Sequence, residues 1–211
     1  MQEARTADAP AWDAMILAGG RASRLGGIDK TALEWRGTTL MGHAILAAAG
    51  AARICVVGPF DPPAPGQLDT RIITAREDPP FAGPASAIVA GLAALDALGE
   101  AGSPFVVVLA ADLPRVAEAV PLLLAELPGL PLGFDGVMAV DESGRAQTLL
   151  AAYRSAPLRR AALAIDGPNR PVRAIVGALR LREVTLPSEL CADVDTSADA
   201  ASLGIPLPAG D

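Results

Sequence analysis

Residues 105–111, FVVVLAA, are seven apolar residues in a row. A half-buried strand alternates apolar with polar side chains. This run does not, so both of its faces must be covered. It is far too short for the roughly 20 apolar residues of a membrane-spanning helix. A strand buried on both sides belongs in the middle of a sheet with helices on each face. The rest of the chain agrees. Residues 14–18, 53–57 and 71–75 read as further short strands, and 136–140, 149–153 and 181–185 as later ones. Helical stretches fall between them. Residues 39–49 are helical in composition and stop at Gly50. Ile88, Leu92, Leu95 and Leu98 follow Pro84 at helical spacing and end at Gly99. Val116, Val120, Leu123, Leu124 and Leu127 form another face, ended by Pro128-Gly129, and residues 157–165 and 171–179 are helix candidates. Strand and helix in alternation give an α/β fold with a mainly parallel, Rossmann-like sheet. No repeat or shift of composition divides the chain. Residues 1–11 read as a flexible tail and 12–211 as one domain.

Composition narrows the function. Hydrophobic residues make up 51% of the 211 and aromatics only 3%, so the core is aliphatic. The net charge of −7 provides no general basic field for nucleic acid. An anionic substrate would have to be held by a local group of cations and backbone amides. Cys55 lies within an apolar run, Cys191 is distant, and the single His43 falls in a helical stretch, so no zinc-ligand spacing exists. His43 reads as a packing residue. The polar N-terminus lacks an apolar signal-peptide core, and a cytoplasmic protein without membrane contact is expected.

The strand at 14–18 runs into LAGGRASRLGGIDK, residues 17–30. In a parallel α/β sheet, ligands bind beyond the carboxyl ends of the strands, where this loop lies. Paired glycines let the backbone approach a ligand closely, and successive N–H groups can surround a phosphate. Arg21, Arg24 and Lys30 add positive charge. Lys30 is the only lysine in the chain. An ammonium is a compact point charge, whereas a guanidinium is a broad fork. The loop is not a Walker P-loop, because Lys30 follows Asp29. It is not the G-x-G-x-x-G dinucleotide fingerprint either, because its glycines are paired. From spacing alone, a phosphate cradle and a turn carrying solvated charges both remain open.

The loop from Leu17 to Lys30 resembles the signature of the molybdenum cofactor guanylyltransferases, within the molybdopterin nucleotidyltransferases. Three further segments match in order: the loop carboxylates before Gly83-Pro84, the Asp112-Leu113-Pro114 that ends the central strand, and Asp193-Val-Asp-Thr-Ser-Ala-Asp199. The resemblance spans residues 13–204. It implies a single three-layer α/β/α domain of the nucleotide-diphospho-sugar transferase type. It also implies a magnesium-dependent transfer of GMP from GTP to the terminal phosphate of molybdopterin, with release of pyrophosphate. The chain departs from the family pattern in three places. Ala85-Ser86-Ala87 replaces Leu-Ala-Gly, Asp193 and Asp195 replace asparagines, and Gly58 stands where asparagine is frequent. The Asp-x-Asp form is also similar to the cytidylyltransferase branch. Cytidylyl transfer, nucleotidyl transfer to a sugar phosphate, and a non-catalytic nucleotide- or cofactor-binding role stand as alternatives.

The resemblance implies the following roles. Leu17, Ala18, Gly19, Gly20, Arg24, Lys30, Asp78, Gly83 and Asp112 bind the nucleotide, with Glu77 the alternative to Asp78. Lys30 and Asp112 are catalytic. Asp112 and Asp195 bind Mg²⁺, a hard cation that takes few protein carboxylates and keeps several waters. Asp193 points the same way as Asp195 if the segment is extended. The residues allow other readings. Asp112 could cap the helix at 115–127, and Thr196-x-x-Asp199 has the pattern of a capping box opening a short helix that Gly204 ends. Arg159, Arg160, Arg170 and Arg173 are candidates for the acceptor's anionic end or for exposed helix charges. GTP and molybdopterin are the expected partners. A labile cofactor also suits hand-over by contact with delivering or acceptor proteins.

Overall fold

A computed structural model describes residues 10–19, 28–60 and 71–208. Seven strands form the main sheet: β1 (Trp12–Leu17), β4 (Arg53–Val57), β5 (Arg71–Ala75), β6 (Phe105–Ala110), β7 (Gly136–Asp141), β8 (Ala146–Arg154) and β9 (Leu181–Leu186). Their order is β5-β4-β1-β6-β8-β7-β9. Pairs β1–β4, β1–β6, β4–β5 and β7–β9 are parallel, while β8 runs antiparallel to both β6 and β7. Only β8 is therefore reversed, and β1, β4, β5 and β6 all deliver their carboxyl ends to one edge of the molecule.

Alternate side chains of each strand enter opposite cores, as the two-residue period requires. Ala14, Ile16, Ile54, Val56, Val107 and Leu109 pack under α1 (Leu40–Ala47) and α3 (Val116–Ala125). Met15, Leu17, Cys55, Val57, Val106 and Val108 pack under α2 (Pro84–Asp96), α4 (Ser155–Leu163) and α5 (Arg173–Val176). This is why FVVVLAA has no polar position: both sets of its side chains are covered. Burial pushes the Cys55 thiol up to about 12, so Cys55 is an inert core residue. His43 Nε2 donates a hydrogen bond to the Trp35 carbonyl (2.9 Å) and leans on the indole, a packing role as expected.

A third, smaller core lies at the carboxyl edge. The hairpin of β2 (Glu34–Trp35) and β3 (Thr38–Thr39) packs Leu33, Trp35 and Leu40 against Val194, Ala200 and Ile205 around α6 (Ser197–Ser202). Trp35 also donates its indole N–H to the Leu203 carbonyl at 3.2 Å. The C-terminal segment is thereby attached to the chain that follows the first loop. No helix among the described residues is long and apolar enough to cross a membrane.

Candidate active site

The four parallel strand ends are tied together one residue beyond the strands. Ala18 N–H donates to the Val57 carbonyl (2.8 Å), Gly58 N–H to Ala75 (3.0 Å), and Ala111 N–H to Leu17 (3.0 Å). Gly58 has φ +129°, and a Cβ there would lie 2.9 Å from the carbonyl carbon of Ala18 and 3.0 Å from Gly19 N. Glycine at 58 is thus what lets the β4 turn press against the Ala18-Gly19 backbone. The Ala18 N–H is thus committed to the sheet and is not offered to a ligand. Gly20 and Arg24, with Arg21, lie outside the described residues.

Lys30 opens a one-turn 3-10 helix (Lys30–Ala32) whose N-cap Asp29 accepts from Thr31 N–H. Its Nζ donates to Asp195 Oδ1 at 2.5 Å and to Asp112 Oδ2 at 3.4 Å. These residues are 165 and 82 positions away in sequence, so the fold alone assembles the group. Asp112 follows β6 directly. Its carbonyl accepts Val194 N–H at 3.1 Å, locking the C-terminal segment to the end of the central strand. Val194 is buried in the third core, and Asp193 and Asp195, both half-buried, flank it in sequence. The capping box then holds Asp195 in register. Asp199 Oδ2 accepts from Asp195 N–H (3.1 Å) and Thr196 N–H (2.7 Å), and Thr196 Oγ1 accepts from Asp199 N–H (3.2 Å). Helix α3 starts after Arg115, which has no side-chain cap bond, so Asp112 is not its cap.

The electrostatics follow from crowding. Burial pushes the Asp112 carboxyl above the usual carboxylate range, the charges of Asp193 and Asp195 push it the same way, and Lys30 opposes them. For Lys30, burial works against the charge. The Asp195 hydrogen bond and the Asp112 and Asp195 charges together outweigh it and hold the ammonium above its ordinary value. Lys30 is therefore a fixed cation at neutral pH between acids that would otherwise repel one another. Among the described residues no group of three or more His, Cys, Asp or Glu is arranged to hold a metal. Two carboxylates are nonetheless the donor set that Mg²⁺ accepts when substrate phosphates and water complete its shell.

The β5–α2 turn forms another wall. Glu77 Oε1 accepts the Phe81 N–H at 3.1 Å and would lie 3.8 Å from a Cβ on Gly19. Glu77 is thus the carboxylate set against the first loop, while Asp78 is exposed. Gly83 has φ +91° and leads into Pro84 at the first turn of α2. Beside this region a concavity of about 430 Å³ is lined by Asp29, Thr31, Met41, Phe60 and Arg76 among others. Arg159 forks onto Asp96 (2.6 and 3.0 Å), and Arg160, Arg170 and Arg173 are exposed.

An open, mainly parallel sheet with a cation and carboxylates at its carboxyl edge is an α/β architecture with its ligand site where such sheets place one. The MobA-like NTP transferase domain matches residues 14–183, and the chain belongs to that family. A probable molybdenum cofactor guanylyltransferase of Mycobacterium avium is 29% identical over 192 residues, 90% of this chain and 93% of the relative. Among solved structures, the Rv0371c protein of Mycobacterium tuberculosis superposes with a TM-score of 0.67 at 21% identity, covering 92% of this chain and 97% of that one. The molybdopterin-guanine dinucleotide biosynthesis protein A of Archaeoglobus fulgidus superposes with a TM-score of 0.58 at 20% identity, covering 90% and 96%.

Proposed function

We propose that this chain transfers GMP from GTP to the terminal phosphate of molybdopterin, forming the dinucleotide cofactor and releasing pyrophosphate. The observation that carries the reading is the Lys30 ammonium held between Asp112 and Asp195 at the carboxyl ends of β1 and β6. The curated relative's name supplies the base and the acceptor. In this reaction an acceptor phosphate oxygen forms a bond to the α-phosphorus, the bond to the β-phosphate oxygen breaks, and that oxygen departs with pyrophosphate. No covalent help from the protein is needed. Placement and neutralisation of developing negative charge are.

The Ala18-Gly19 turn, packed closely on Gly58, seats the nucleotide, and Gly20, Arg24 and Gly83 are further nucleotide-binding residues. Lys30 contacts the α- and β-phosphates and stabilises the leaving pyrophosphate. Asp112 and Asp195 would hold Mg²⁺, which supplies further neutralisation of the phosphates when bound. Asp78, or Glu77 beside it, accepts hydrogen bonds from the base edge or the ribose. The protein works on soluble substrates in the cytoplasm, within one domain from residue 12 onward.

Thermal shift with GTP, CTP, ATP and UTP, each with Mg²⁺, followed by pyrophosphate release with molybdopterin, tests the reading. A selective response to GTP and molybdopterin-dependent pyrophosphate are expected, both lost in Asp112→Asn. Preference for CTP would overturn guanylyl transfer. Absence of any nucleotide response would overturn the enzymatic reading.

A further inference from the structure

The Lys30 ammonium lies against the two carboxylates assigned above to Mg²⁺. Nζ is 2.5 Å from Asp195 Oδ1 and 3.4 Å from Asp112 Oδ2, so one cation serves both acids. A divalent ion bonds carboxylate oxygen at about 2.0–2.1 Å, and on that Asp195 oxygen it would stand within about 5 Å of the ammonium. Like charges that close repel strongly in a partly buried site. The ammonium and a bare divalent ion therefore compete for one pair of acids. The surroundings decide which group can move. Asp112 is tied at its carbonyl to Val194 N–H (3.1 Å), and Asp195 at its N–H to Asp199 Oδ2 (3.1 Å). The Lys30 backbone is held as well. Its carbonyl accepts Leu33 N–H at 3.1 Å, and the Asp29 cap holds Thr31. The slack is in the lysine's flexible four-carbon stem. A guanidinium in its place would fork onto a carboxylate and stay there. That is a physical reason for the chain's only lysine to stand at this position.

We propose that Lys30 is a built-in stand-in for the divalent ion. It holds Asp112 and Asp195 in the nucleotide-free protein and passes to the phosphates when a nucleoside triphosphate enters, which releases the acids to the metal. The inference rests on the nucleotidyl-transfer reading above. A triphosphate brings the negative charge that draws the ammonium away and the oxygen ligands that complete the ion's shell. Metal and nucleotide binding are thus coupled through one side chain, and a bare divalent ion is kept off the two acids until nucleotide arrives.

The test titrates the full chain with Mn²⁺ as the probe metal, without nucleotide, by calorimetry. Lys30→Met keeps the stem and removes the charge, and it should bind Mn²⁺ about tenfold more tightly than wild type. Lys30→Arg should bind it as weakly as wild type. Adding Asp195→Asn to Lys30→Met should abolish the gain. Melting curves check that each variant is folded, and Lys30→Gln takes the place of Lys30→Met if that variant is not. Without metal, in EDTA, the order should reverse, with GTP binding wild type about tenfold more tightly than Lys30→Met. Equal Mn²⁺ constants in wild type and Lys30→Met, a gain that survives Asp195→Asn, or equal GTP binding in EDTA would overturn the inference and leave the function reading intact. A wild-type protein that binds no nucleotide under any condition would sink both.

Discussion

Replacing Lys30 by alanine tests the electrostatic logic of the site independently of catalysis. The side chain is 19% exposed and faces Asp112, 26% exposed, at 3.4 Å and Asp195, 40% exposed, at 2.5 Å. At an effective dielectric of about 20, one such pair at 3.4 Å is worth about 5 kcal/mol before desolvation. The lysine's own burial offsets much of this, and water screens the Asp195 contact, so the net loss should be about 1–3 kcal/mol. For a chain of 211 residues that corresponds to a fall in melting temperature of about 3–10 °C.

The pH dependence is the sharper signature. Asp112 is raised in the folded protein, so its ionisation costs stability: the cost is absent below the ordinary carboxylate range and complete above its raised value. Lys30 counters that cost, and Lys30→Ala should raise Asp112 further. The deficit of the variant should therefore be largest near neutrality and shrink as the pH falls and Asp112 takes up a proton. In the wild type, the Lys30 contribution is fully present below the ordinary lysine value and disappears as the pH rises through its raised one. Scanning calorimetry from about pH 3 to 9, spanning the carboxylate range upward, measures the difference. Lys30→Arg should keep most of the stability, and Asp112→Asn placed in the Lys30→Ala background should restore part of it. A neutral-pH melting temperature equal to wild type, or a deficit that does not shrink as the pH is lowered through the carboxylate range, would refute the reasoning.

Two other substitutions probe what positions the site. Gly58→Ala puts a Cβ 2.9 Å from the Ala18 backbone at φ +129°; it should cost about 1–3 kcal/mol in urea denaturation and weaken nucleotide binding more than its stability loss explains. At the far end of β1, Asp13 is fully buried and accepts from Arg53 Nε at 3.0 Å and Ser103 Oγ at 2.9 Å. Arg53→Met strands that carboxylate and should cost about 3–5 kcal/mol in urea denaturation, while turnover per folded molecule stays near wild type.

The strands were legible because burial on both faces leaves an unmistakable apolar run: β4 and β5 have the bounds read from sequence, and β6 differs by one residue. Direction was not legible. Nothing in residues 146–154 says that β8 is antiparallel, since apolar patterning records burial and not polarity of the chain. The Asp13–Arg53 pair was missed although its signal was present, a carboxylate inside an otherwise apolar strand and a guanidinium opening the next. The β2–β3 hairpin was missed for a different reason. Its two-residue strands have too few positions to show a period, and its turn, Arg36-Gly37 at φ +50° and +82°, lacks the usual Asn or Asp at the first position.

That small hairpin is what turns a list of candidate residues into a site. Lys30, Asp112 and Asp195 could each be named from the sequence, but their meeting depends on Trp35 and Leu40 burying Val194 and on Val194 N–H reaching the Asp112 carbonyl. Asp195, the next residue, then reaches the Lys30 ammonium. Apolar side chains therefore set how close three charges come. A residue such as Val194 is as necessary to the geometry as the acids beside it, and sequence reading overlooks it because burial of one valine carries no chemical signature.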